Sequence, residues 1–139
     1  MLRISFAFDA AAEEFVTAVL PIVTEAVRGE APVATGALRD SVTGQPTLAG
    51  FEVRGAAPVA SFITMGTKPH DIYPATASVL VFTASDGTLV FTRHVSHPGT
   101  APNPFPQLGW RAVETHVLAT AASIFGRATA VDTSIEGAA

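Results

Sequence analysis

The sequence predicts an α+β fold: an antiparallel or mixed sheet of about four strands packed against two long helices, with a long proline-rich arm before the second helix. Three observations predict it. The stretches from Ala10 to about Arg28 and from Phe105 to Gly126 repeat apolar side chains at helical spacing. Between them lie short β-branched and aromatic runs punctuated by Gly and Asp-Gly turn signals. Finally, Pro98, Pro102, Pro104 and Pro106 follow one another so closely that the chain from His94 to Asn103 reads as an irregular arm, because each proline fixes φ and lacks an N–H donor. The order helix, strands, hairpin, helix is that of an α+β domain.

Taken in order, Leu2 to Phe8 alternates apolar and small or polar residues and reads as an edge strand. Asp9 is placed to cap the first helix, with Glu13 and Glu14 at the positive end of its dipole. Phe15, Val16, Val19, Leu20, Val23 and Val27 share one face. Pro21 interrupts that face, so a kink near Thr17 or two shorter helices are expected, with Gly29 as the stop. Ala31 to Val42 is a connector of one or two helical turns, with Thr35 as a candidate cap. Thr43 to Leu48 and Gly50 to Gly55 read as a hairpin, and Pro58 to Met65 as a short helix stopped by Gly66. Lys68 to Thr76 reads as a loop between Pro69 and Pro74.

Ser78 to Thr83 and Thr88 to Arg93 are the clearest strands, joined at Asp86-Gly87. Val79 to Phe82 and Leu89 to Phe91 are apolar at every position, and a strand apolar on both faces is covered on both faces. One face is expected to meet the helices and the other a neighbouring subunit. In the last helix Trp110, Val113, Val117, Ala121 and Ile124 form the apolar stripe. Residues 1–127 are expected to be one domain and 128–139 a flexible tail of small and polar residues.

Composition narrows the function classes. Only 14% of the 139 residues are charged, against about a quarter in an average domain, while 48% are hydrophobic. So little charge suits a subunit of an assembly better than an isolated monomer. The net charge of −4 and the scatter of the eight Lys and Arg argue against gripping nucleic acid through its phosphates. There is no cysteine, which excludes disulfides, thiolate metal sites and thiol nucleophiles. No apolar run reaches the roughly 18 residues of a membrane span, and Ile4 to Phe8 is too short for a signal peptide, so a protein kept inside the cell or released with a particle is expected.

Catalytic readings are weak. His70, Asp71, His94 and His97 are residue types that ligate zinc or iron, yet His94-x-x-His97 lies where a strand enters the arm, without the helical spacing that would aim both rings at one ion. Ser96 beside His97 lacks the glycine-flanked elbow that exposes a nucleophile. Gly66-Thr67-Lys68 ends like a phosphate loop, but Ser61 stands where its first glycine belongs. No cofactor and no metal are expected. The alternative to a structural role is a small metal-dependent or hydrolytic enzyme using His70, His94 and His97, or a monomeric regulator that binds a host protein through the proline arm.

Four segments, in this order, resemble a known family: Ala31-Pro32-Val33-Ala34-Thr35-Gly36-Ala37-Leu38-Arg39-Asp40-Ser41; Pro58 to Met65-Gly66-Thr67; Ile72-Tyr73-Pro74 before Val79 to Phe82; and Val95-Ser96-His97-Pro98-Gly99-Thr100 leading to Pro104-Phe105. The set is similar to the tail-component family of long-tailed double-stranded DNA phages, small neck or tail-completion proteins, over about Ala10 to Gly126. Val59-Ala60 and Thr64 stand where that family has an aromatic-alanine pair and a Glu, so no role of the acidic residue carries over. The resemblance implies a non-catalytic virion protein, assembled in the host cytoplasm. It would form a ring, sixfold by the symmetry of phage tails, at the head-to-tail junction as head-tail connector, tail-completion or tail-terminator protein. Its neighbours would be head-closure, terminator or major tail proteins, with DNA passing through unheld.

In that setting the arm is the expected contact with a neighbouring subunit or ring, carried by His94, Ser96, His97, Pro98, Gly99, Thr100, Pro102, Asn103 and Phe105. Its prolines restrict the free arm and lower the entropy lost on docking. Gly99 permits a turn, His97 and Asn103 can satisfy backbone groups, and Phe105 and Trp110 anchor the far end to the core.

Overall fold

The computed structural model describes residues 2–5, 8–56, 58–128 and 132–135, the first and last of these segments as backbone only. The chain is α+β, with elements in the order β1 (Leu2–Ser5), α1 (Phe8–Glu30), α2 (Ala37–Ser41), β2 (Thr43–Thr47), β3 (Gly50–Arg54), α3 (Val59–Met65), β4 (His70–Ile72), β5 (Leu80–Thr83), β6 (Leu89–Thr92), β7 (Val95–His97), α4 (Phe105–Ala128) and β8 (Asp132–Ile135). It divides into two compact units, Met1–Ala60 with Pro104–Ala139, and Ser61–Asn103, where the sequence suggests one domain.

The first unit is built on α1 and α4, the two helices that the apolar spacing predicts. Ala11, Val19, Val23 and Val27 of α1 and Phe105, Val117, Ile124 and Ala128 of α4 are buried. Gly109 sets how closely the helices approach, because a Cβ there would lie 2.5 Å from the Val27 Cα and 2.6 Å from its nitrogen. Phe15 and Phe125 pack at 5.7 Å between ring centroids, and Arg127 Nη2 donates to Glu14 Oε1 at 2.6 Å. α1 is one uninterrupted helix rather than two. Pro21 and Thr17, between which the intrahelical hydrogen bond is lost, are both exposed residues.

β2 and β3 form the expected hairpin, with Thr43 opposite Arg54 and Thr47 opposite Gly50. The connector is held by Arg28 Nη2 donating to Val42 O at 2.7 Å, Arg39 Nε to Arg28 O at 3.3 Å, and the Ala56 N–H to Ser41 Oγ at 2.9 Å. Gly36, at φ 82°, occupies the cap position of α2, while the Ala37 N–H reaches Thr35 Oγ1 at 3.4 Å.

Three expectations are corrected. The sheet of about four strands is replaced, among the described residues, by four separate antiparallel pairs: β1–β8, β2–β3, β4–β7 and β5–β6. The strands are only three to five residues long, and Pro74 after β4 and Pro98 after β7 remove the donors a longer ladder would need. The stretch Lys68 to Thr76 is not all loop, since it contains β4. The tail is not wholly loose: α4 runs to Ala128, and Asp132–Ile135 pairs with Leu2–Ser5, Leu2 opposite Ile135. Residues 129–131 and 136–139 of that tail, and Phe6 and Ala7 of the expected first strand, lie outside the described residues.

Candidate subunit interface

The second unit, Ser61–Asn103, contains all but the last of the residues expected at the interface. His94 to Asn103 is not an irregular arm. Val95–His97 is a strand, paired antiparallel with β4 so that His70 faces His97, Asp71 faces Ser96 and Ile72 faces Val95. The prolines do not forbid this, because Pro98 and Pro102 follow the ladder instead of entering it.

Beyond β7 the chain is tied back once more. Thr67 and Thr100 form an antiparallel bridge in which each N–H donates to the other carbonyl at 3.0 Å. Each threonine is preceded by a left-handed glycine, Gly66 at φ 73° and Gly99 at φ 85°. A Cβ on Gly66 would sit 2.5 Å from the Thr100 carbonyl oxygen and 2.9 Å from the Pro102 nitrogen. A Cβ on Gly99 would collide with the Thr67 carbonyl oxygen and lie 2.9 Å from the Lys68 carbonyl carbon. Two Gly-Thr dipeptides, far apart in sequence, therefore make one crossing that only glycine allows. The Asn103 N–H closes the segment by donating to Ile63 O at 2.9 Å.

The three histidines of this unit fall into two groups. His70 and His97 rings lie 5.1 Å apart; His70 Nδ1 is 2.8 Å from Lys68 O, and His97 Nδ1 accepts from the Gly99 N–H at 3.0 Å, the backbone-satisfying role expected of it. His94 Nε2 is 2.9 Å from Asp71 Oδ1, and its ring is 5.0 Å from that of Tyr73. The hydrogen bond from His94 holds the Asp71 carboxyl below the usual aspartate range. Among the described residues no group of three or more His, Asp or Glu side chains is arranged to hold a metal ion. Ser96, Pro98 and Thr100 are exposed. Phe105 is 1% exposed and belongs to the core of the first unit, so it anchors its own chain and has no free surface for a partner.

The larger interface signal lies elsewhere in the unit. No residue from Ser61 to Asn103 is fully buried, whereas Phe62, Met65, Tyr73, Val81, Phe82, Leu89 and Phe91 are exposed. On the β5–β6 hairpin Leu80, Val90 and Thr92 are half-buried on one face, which also carries the 41% exposed Phe82; on the opposite face Val81 is 53%, Leu89 56% and Phe91 64% exposed. Within one chain, then, the face for which a neighbouring subunit is expected is open. The doubly apolar strands were the visible sign of this surface. The pairing of β4 with β7 had none, because three-residue ladders leave no periodicity to read.

Among the described residues no helix is long and apolar enough to cross a membrane. No protein-family model, no curated protein and no solved structure matches the chain.

Proposed function

We propose that this chain is a structural subunit of the neck of a long-tailed double-stranded DNA phage, one copy of a ring at the head-to-tail junction through which DNA passes without being held. The observation that carries the assembly reading is the exposed apolar surface of Ser61–Asn103, a segment without one fully buried side chain. A segment of that size cannot stabilise itself by burial, and exposed apolar area of this kind marks an interaction site. The location in the neck rests on the four-segment resemblance. Two of those segments, Met65-Gly66-Thr67 and His97-Pro98-Gly99-Thr100, meet in the single glycine-dependent crossing at Thr67 and Thr100, which supports treating them as one motif. The net charge of −4 suits a channel wall that does not adhere to phosphates.

Electron microscopy of particles assembled with and without the chain tests the reading. Separate filled heads and free tails are expected in its absence, with the chain present as a ring in complete virions. A soluble monomer that never enters particles overturns it.

A further inference from the structure

The β5–β6 hairpin repeats one tetrapeptide: Leu80–Thr83 and Leu89–Thr92 both read Leu-Val-Phe-Thr. Antiparallel pairing sets Leu80 against Thr92, Val81 against Phe91, Phe82 against Val90 and Thr83 against Leu89, so the ladder reads the same from either strand. Each strand has one neighbour among the described residues, and each therefore keeps one open edge.

We infer that the open edge of β6 in one subunit pairs with the open edge of β5 in the next, joining successive hairpins into one inter-subunit antiparallel sheet. The inference rests on the ring reading above and names the interface that closes it.

Backbone parity selects this pairing. The Ala84 N–H donates to Thr88 O at 2.8 Å, making that pair hydrogen-bonded across the hairpin. Because hydrogen-bonded and non-bonded pairs alternate, Leu80, Phe82, Val90 and Thr92 direct their backbone groups inward, while Val81, Thr83, Leu89 and Phe91 direct theirs outward. An incoming β5 in the same register sets Val81 against Phe91 and Thr83 against Leu89, outward groups meeting outward groups. Every residue pairing of the intramolecular ladder is thereby repeated between subunits, with hydrogen-bonded and non-bonded sites exchanged. Pairing β5 with β5, or β6 with β6, cannot do this: outward groups then meet only as Val81 or Thr83 facing itself or each other, or Leu89 or Phe91 likewise, and no valine faces a phenylalanine. The favoured contact is thus head-to-tail, the kind that generates a closed ring when its rotation closes.

The tetrapeptide repeat favours a second copy as the occupant. Copies with a net charge of −4 repel over most of their surface, but neither strand carries a charged residue, and the unmatched apolar face of Val81, Leu89 and Phe91 would continue from copy to copy. An uncharged, unpaired strand edge is also what proteins otherwise avoid exposing.

Disulfide trapping tests this directly, because the chain has no cysteine of its own. Full-length Phe82→Cys and Val90→Cys chains, each shown to be folded by circular dichroism, are mixed and oxidised; these positions are non-hydrogen-bonded partners in the inferred ladder, where side chains approach most closely. A mixed dimer, one Phe82→Cys chain bridged to one Val90→Cys chain, as the main cross-linked product supports the inference. Products dominated by either variant bridged to itself, or no cross-link at all, overturn it. In parallel, Val81→Lys and Phe91→Lys, at side chains already exposed, are expected to leave the fold intact and abolish the higher-mass species seen by native mass spectrometry. Rings that persist in both lysine variants overturn the hairpin interface while leaving the ring reading standing; a chain that is monomeric at every concentration and absent from particles overturns both.

Discussion

Gly109 faces the α1 backbone with no room for a side chain, so Gly109→Val must push α1 and α4 apart or strain both. Overpacking of this kind costs about 1–3 kcal/mol, measurable as a lower urea midpoint with the slope unchanged. Gly99 carries two constraints at once, a left-handed φ of 85° and a Cβ collision with the Thr67 carbonyl oxygen. Gly99→Ala is therefore expected to open the Thr67–Thr100 bridge, seen as faster amide exchange at those two residues, with a cost of about 1–3 kcal/mol. At Asp71 the hydrogen bond from His94 depresses the carboxyl pKa, so its contribution is present above the ordinary aspartate range and is lost as pH falls through the depressed value. His94→Gln should move the Asp71 midpoint back up in a carboxyl NMR titration; an unchanged midpoint would show that the pair does not form in solution.

At the scale of elements, the segment after β6 behaves as a strand and a bridge, and this changes which substitutions probe it. Pro98 is exposed and lies after the β7 ladder, so Pro98→Ala should leave the pairing of Val95–His97 with His70–Ile72 intact. Under the proposed neck role it should still weaken head-to-tail joining, because a less restricted segment loses more entropy on docking. Micrographs richer in unjoined filled heads and free tails are the expected result, and normal particle yield would make this segment a plain surface turn. Much of the element order was legible from local signals: helical spacing for α1 and α4, Asp86-Gly87 for the β5–β6 turn, and Pro58 to Gly66 for α3. β4 and β7 were not, since each is three residues long with a proline within two residues of its end, and a strand that short is defined by its partner.

For the whole molecule, a net charge of −4 without a basic cluster predicts that the isolated protein shows no tight binding to duplex DNA at low salt. Affinity that falls steeply with added salt in a fluorescence-anisotropy titration would contradict it. What the sequence determined by itself were the properties carried by residue type and near-neighbour spacing: the α+β class, the helices α1 and α4, the turn at Asp86-Gly87, and an apolar hairpin in a chain poor in charge. What only the tertiary structure decided depends on residues distant in the chain. The Gly66-Thr67 and Gly99-Thr100 segments cross, His70 and His97 stack while His94 pairs with Asp71, and among the described residues the hairpin's outer edges have no strand partner. The physical reason is that side-chain periodicity reports which face of an element is apolar, whereas the partner of a backbone edge or a left-handed glycine is chosen by long-range packing that leaves no local trace.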